Sequence, residues 1–144
     1  CSARRAWRFV FRRNSLPPAA ARAGWVRPMK GAEVEETADL PEDLRASLLR
    51  ASGMGGVMAA FASGRPVSFA AVNWETETLA GFQGRGYAAA CLDRMVREMR
   101  FRGKLAAGVV EWSNHQSLSV MRKPGAARIG ECALIDTRGA QFLR

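Results

Sequence analysis

The chain has one histidine, one tyrosine and three cysteines in 144 residues, and each scarcity removes a class of function. One histidine cannot supply a multi-histidine metal centre. The cysteines, Cys1, Cys91 and Cys132, are odd in number and fit no zinc-ligand spacing, so no metal site is expected. Cys91 falls on an apolar helix face and Cys132 in a strand-like run, where cysteine serves as a small core residue. Thiols used this way suit a reducing, cytoplasmic compartment. No apolar run approaches the ~20 residues that a membrane span needs. Acid is missing too: residues 1–32 hold eight basic side chains (Arg4, Arg5, Arg8, Arg12, Arg13, Arg22, Arg27, Lys30) and no carboxylate. The remaining fourteen basic and thirteen acidic residues leave residues 33–144 at +1 out of a total of +9. The charge therefore belongs to the N-terminal segment, which argues against a nucleic-acid-binding body.

What is present fits one domain. Hydrophobic residues make up 48% of the chain, within the globular range, and a chain of this length can bury a core without staples. Residue 1 is Cys rather than Met, which reads as a fragment or a processed form. Residues 1–23 read as a basic extension, with Trp7, Phe9, Val10 and Phe11 among arginines and then Pro17-Pro18. The preferred reading is the remnant of a preceding segment. The alternatives are an arginine-rich targeting segment or an arm that meets nucleic acid or acidic lipid. The folded domain is assigned to residues 24–144.

Within that domain, residues 24–29 read as an edge strand, because Pro28 lacks a ladder donor. Residues 39–52 read as a helix capped by Asp39, with Leu40, Leu44, Leu48 and Ala51 as its apolar stripe. Val57, Ala59 and Phe61 alternate, Ser63-Gly64-Arg65-Pro66 turns, and Val67, Phe69 and Ala71 alternate again, which is a hairpin. A second helix follows Gly81-Phe82-Gln83-Gly84-Arg85-Gly86, with Leu92, Met95, Val96 and Met99 at i, i+3, i+4 and i+7. Residues 105–112 form an apolar strand, Ser113 or Asn114 caps a short helix, and residues 129–136 read as a final strand. The order implies an α/β or α+β domain with one mixed sheet.

The three glycines within six residues, set before a helix, read either as a turn and helix start or as a cradle for an anion. Glycine lets the backbone approach a ligand closely, and the first-turn amides and the helix dipole favour negative charge. Two ligands compete. Gly84-x-Gly86-x-x-Ala89 matches the dinucleotide fingerprint G-x-G-x-x-G/A, with Glu111 near the place of a ribose-binding acid. However, residues 76–80 are not the apolar strand that the fingerprint requires.

Gln83-Gly84-Arg85-Gly86-Tyr87-Ala88 also has the form Q/R-x-x-G-x-G/A. With the following helix, the strand to Trp112, Asn114-x-x-Ser117 and Arg122-Lys123-Pro124-Gly125-Ala126, it resembles the second half of the GNAT (GCN5-related) N-acetyltransferases. Trp25-Val26-Arg27-Pro28 and residues 57–72 resemble that family's first strand and central hairpin, so the resemblance covers about residues 24–136. It implies a mixed, mostly antiparallel sheet flanked by helices. It also implies acetyl-CoA as co-substrate and transfer of an acetyl group to a primary amine of a small molecule or peptide. Gln83, Gly84, Arg85, Gly86, Tyr87 and Ala88 would hold the CoA pyrophosphate, and Asn114 would contact the cofactor or cap the short helix. Arg122 and Lys123 could meet the ribose phosphate. The candidate bases are Glu111, Glu77 and Glu75. His115 is expected at an exposed helix start. Two departures stand out. The strand leading into the loop is shortened, and Met121 occupies the position where many members place a tyrosine acid. These departures keep open a second reading, a GNAT-like CoA-binding or interaction module without turnover. A dinucleotide-binding protein is the minor alternative.

Overall fold

Most elements follow directly from alternation and helical spacing. The computed structural model describes residues 2–11, 26–54, 56–72, 76–122 and 125–136. Along these residues run β1 (Ser2–Phe11), β2 (Val26–Pro28), α1 (Gly31–Glu36), α2 (Glu42–Met54), β3 (Val57–Ala62) and β4 (Arg65–Ala71). They are followed by β5 (Thr76–Thr78), α3 (Tyr87–Phe101), β6 (Ala107–Glu111), α4 (His115–Arg122) and β7 (Ala126–Asp136). No helix among the described residues is long and apolar enough to cross a membrane.

The strands form two sheets. The first has the order β2-β3-β4-β5 and is antiparallel throughout. Its hairpin closes through Ser63 and Gly64, both at positive φ (50° and 77°), the backbone that a two-residue turn needs to match strand twist. Successive side chains point to opposite faces. Val57, Ala59, Phe69 and Ala71 meet Val34 of α1 and Leu44, Leu48 and Ala51 of α2. Met58, Ala60 and Ala70 meet Cys91 and Met95 of α3. The second sheet has the order β6-β1-β7, with β1 antiparallel to both neighbours. Phe9, Phe11 and Val110 pack there on Val96 of α3 and Met121 of α4.

The helix α3 joins these halves because it carries two apolar stripes. Cys91 and Met95 lie on one row four residues apart, and Leu92 and Val96 on the adjacent row. The first row faces the β2–β5 sheet and the second faces the β6-β1-β7 sheet.

Three sequence expectations are corrected. Ser2–Phe11, read as a basic extension, is the central strand of the second sheet. Its arginines are compatible with that position because they use the exposed end of the strand. Arg4 pairs with Glu111 at 2.9 Å, and the Arg5 guanidinium lies 5.1 Å from the Trp112 ring centre. Trp7 stacks on Trp112 at 4.7 Å, and the Arg128 guanidinium lies 4.0 Å from the Trp7 ring centre. Arg12, Arg13, Arg22 and Trp25 lie outside the described residues. Asp39 does not cap α2: it sits at φ 62°, and the Pro41 carbonyl accepts the first helical bond, from Arg45 N–H at 2.9 Å. The single mixed sheet expected from the order is two sheets among the described residues: β5 pairs with β4 and not with β6.

The short helix α1 has a single buried apolar side chain, Val34, and is held mainly by its ends. The Lys30 N–H donates to Glu33 Oε2 at 2.9 Å. The Arg27 guanidinium, 2.8 Å from Glu33 Oε1, and the Lys30 amide hold the Glu33 carboxyl below its usual range. At the other end the Arg45 guanidinium donates to the carbonyls of Val34, Glu35 and Thr37 at 2.8–2.9 Å, satisfying acceptors that a helix end leaves bare.

If β1 is integral, Phe9→Ala should cost about 3–5 kcal/mol in chemical denaturation, the range for a buried Phe. A loss under ~0.5 kcal/mol, typical of surface positions, would return residues 2–11 to the role of an extension.

Candidate functional site

The loop between β5 and α3 is shaped by glycine. Gly81, Gly84 and Gly86 have φ of 86°, 75° and 83°, a region that costs side-chain-bearing residues energy. A Cβ added at any of the three would meet nothing within 4 Å. Backbone conformation, not crowding, therefore requires glycine here, and the space beside the loop is open. The Gly86 carbonyl accepts from Ala90 N–H at 3.1 Å, which starts α3. The amides of Tyr87, Ala88 and Ala89 precede any intrahelical acceptor. They form a donor set for an anion, reinforced by the helix dipole.

Side chains fix this loop in place. Gln83 Nε2 donates to the Thr78 carbonyl at 3.4 Å, tying the loop to β5. Tyr87 meets Phe82 edge-on at 6.4 Å, and the Arg85 guanidinium lies 5.6 Å from the Phe82 ring centre. A hollow of about 260 Å³ lies between the loop and Gln116, Ser119 and Val120 of α4. It shares Thr78, Gln83, Ala88, Gln116 and Val120 with a larger groove of about 640 Å³ between the two sheets. That groove follows α3 past Leu92 and Met95 to Met99 and is walled on the other side by β6. Among the described lining residues, Glu111 is the one titratable side chain.

The structure brings Gln83, Ala88, Glu111 and Asn114 to one groove, with Gly84, Gly86 and Tyr87 on the connected hollow. Glu111 ends β6 with both oxygens engaged. Oε2 accepts from Arg4 at 2.9 Å and Oε1 from the Ser113 hydroxyl at 3.0 Å. Asn114 Oδ1 accepts from Ser117 N–H at 3.0 Å, so its oxygen caps α4 and its amide nitrogen is what it can offer a ligand. Glu77 lies in β5, opposite Phe69 in the ladder. His115 is exposed at the start of α4, and Met121 is buried in the core. Glu75 and Lys123 lie outside the described residues.

Sequence reading missed Arg4 and Ser113, which hold Glu111, and Thr78, which anchors the loop. Arg4 was hidden once its strand was read as an extension. Ser113 was considered only as a helix cap.

The arrangement excludes the dinucleotide alternative. That fingerprint sits in a parallel strand–helix–strand unit. Here β5 pairs antiparallel with β4, and β6 lies in the other sheet. Solved structures share the layout instead. An acetyltransferase of the GNAT family from Colwellia psychrerythraea superposes with TM-score 0.70 at 8% identity, over 92% of this chain and 56% of that one. A GNAT-family protein from Novosphingobium aromaticivorans gives 0.69 at 16%, over 92% and 63%. This is the GCN5-related N-acetyltransferase fold. A GCN5-related N-acetyltransferase-like protein from Streptococcus suis shows the GNAT fold as well, at TM-score 0.63 and 14% identity over 91% of this chain and 61% of that one. No protein-family model and no curated relative matches the sequence. The chain spans 50–63% of the length of the solved chains it resembles. Among the described residues β5 has three ladder residues, and past them the Leu79 N–H donates to the Val67 carbonyl at 2.9 Å.

Cys91 is not part of the groove chemistry. Its Sγ donates to the Ser68 carbonyl at 3.4 Å, and burial pushes the thiol up to about 12. A thiolate is the reactive form. Cys91 should therefore resist a thiol reagent at pH 8 in the folded protein and react once denaturant is added, as read by peptide mass mapping. Labelling of Cys91 in the folded protein would contradict this packing.

Proposed function

We propose that the chain binds a coenzyme A thioester in the inter-sheet groove and transfers its acyl group, acetyl in the simplest case, to a primary amine. The observation that carries this is the continuity between a three-glycine anion cradle and an apolar groove beside it. A pyrophosphate with a long flexible arm asks for that combination. The amides from Gly84 to Ala88 would hold the pyrophosphate, Gln83 would keep the loop on β5, and Arg85 would add charge. Asn114 would offer its amide nitrogen to the arm. The open space beside all three glycines fits a bulky anion. A reducing, cytoplasmic setting suits the free thiols of Cys91 and Cys132.

In the reaction the amine nitrogen attacks the thioester carbonyl carbon, the C–S bond breaks, and coenzyme A leaves as thiolate. The proton lost from the amine needs a base. Glu111 is proposed for that role because it is the titratable group on the groove. The Arg4 guanidinium and the Ser113 hydroxyl hold its carboxylate in place. Glu77 is the alternative base. The acceptor is a small-molecule or peptide amine. No tyrosine acid stands at Met121, so the thiolate would be protonated by solvent.

A second reading, coenzyme A binding without turnover, is favoured by the short β5, which offers the arm little backbone to pair with. Calorimetry and a thiol-release assay separate the two. Coenzyme A should bind, and Gly86→Glu should abolish binding by placing a carboxylate in the cradle. Glu111→Gln should lower turnover by about 10²-fold or more with binding unchanged. Binding with no thiol release for any amine would select the second reading, and no binding at millimolar coenzyme A would end both.

A further inference from the structure

Among the described residues the two sheets end in the strands β2, β5, β6 and β7. Three of these edges are accounted for. β2 and β5 are three-residue strands, and shortness is one way an edge avoids pairing with another chain. β6 walls the groove. The remaining edge is β7, eleven residues long, which pairs with β1 alone among the described residues. Its register with β1 is unbroken from Gly130 to Asp136, and the irregularity falls at Ile129. That run contains no proline and no lysine, the usual guards of an open edge. Ile129 and Ile135 stand near its two ends, 52% and 60% exposed.

The ladder shows which backbone groups face outward. Successive residues of an antiparallel strand bond alternately to its two sides. The Arg5 carbonyl accepts from Trp112 N–H at 3.0 Å, and Phe11 N–H donates to the Ala106 carbonyl at 3.1 Å. The odd-numbered residues of β1 therefore bond toward β6, and Arg4 and Ala6 bond toward β7. There Ala6 faces Cys132 and Arg4 faces Leu134. It follows that Glu131, Ala133 and Ile135 turn their N–H and C=O groups to the open edge.

We propose that this edge pairs antiparallel with the same edge of a second copy of the chain, around a two-fold axis at Cys132. Two three-stranded sheets then become one continuous sheet. The side chains choose the axis. One at Glu131 would set like charges directly opposite each other, which is unfavourable. One at Ala133 would set the Glu131 carboxylate against Ile135. The axis at Cys132 sets Glu131 against Ala133 and brings Ile135 of each copy beside Ile129 of the other. Arg5 lies across from Ala133 in the β1–β7 ladder. Glu131 of the second copy thus meets the exposed Arg5 over a small side chain, so the edge is complementary to itself in charge as well as in apolar surface. The proposal does not draw on the coenzyme A reading. β6 stands on the far side of β1 from the axis, so the groove stays open in the dimer.

Sedimentation equilibrium of the intact chain across the micromolar range should show a dimer. Ala133→Pro removes one outward N–H and spares the β1 ladder, a position at which an edge strand tolerates proline, so it should abolish dimerisation. Ile135→Lys places a charge on the same edge at an exposed position and should do likewise, and it serves if the proline variant does not fold. Shielding of Cys91 from a thiol reagent reports the folding of each variant. Oxidation reads the axis. Opposed residues that share no hydrogen bonds have Cα atoms about 4.5 Å apart, within reach of a disulfide. Mild oxidation of the Cys1→Ser chain should therefore join two copies through Cys132, and adding Ala133→Pro should remove that link. A monomer at every concentration overturns the proposal, and so does a dimer that persists in both edge variants. A dimer whose Cys132 thiols stay unlinked overturns the axis.

Discussion

The second half of the fold depends on backbone hydrogen bonding of one strand to two neighbours. β1 runs antiparallel to both β6 and β7, so those two strands run parallel to each other with a strand-wide slot between them. A slot of that kind leaves amides and carbonyls on both flanking strands without partners, and unpaired backbone groups are costly wherever water is excluded. Filling it with β1 also supplies Phe9 and Phe11 for the apolar face on which α3 and α4 rest. Arg100 of α3 reaches back to the Phe11 carbonyl at 3.4 Å, and the Arg5–Trp112–Trp7–Arg128 stack spans all three strands or their ends. The wall of the groove is thus built across residues far apart in sequence.

The same strand reaches the chemistry. Arg4 and Glu111 are 107 residues apart and 2.9 Å from each other. Their meeting follows from the ladder register that sets Ala6 opposite Glu111. The candidate base, its partner and the groove wall are therefore one unit. On the other side of the groove lies β5, which among the described residues pairs with β4 and not with β6.

The hairpin, α2, α3, β6 and α4 were legible because their apolar residues recur at two or at three and four, and glycine or turn residues mark their ends. The anion cradle was legible because only glycine fits three positive-φ positions so close together. The shortness of β5 was legible from Glu77-Thr78-Leu79-Ala80 running straight into Gly81. Two elements were not read. In α1 a single apolar side chain, Val34, gives no period, and its C-terminal carbonyls are satisfied by Arg45 from the next helix. In β1 the alternation of Trp7, Phe9 and Phe11 was present, but the arginines between and before them read as a solvated arm. Their partners, Glu111 and Trp112, are known only once the strand is placed. The roles of Arg4 and Ser113 at Glu111 were out of reach for the same reason.

The central claim is that a GNAT-fold groove, walled by the first strand, receives coenzyme A at the glycine loop. Amide hydrogen exchange with and without saturating coenzyme A tests it most directly. The account predicts that the amides of residues 6–9 exchange only through global unfolding in either state. It predicts that coenzyme A slows exchange at residues 84–89, with smaller slowing along β5 and β6. Fast exchange in residues 6–9, or ligand protection that leaves residues 84–89 unchanged, would contradict it.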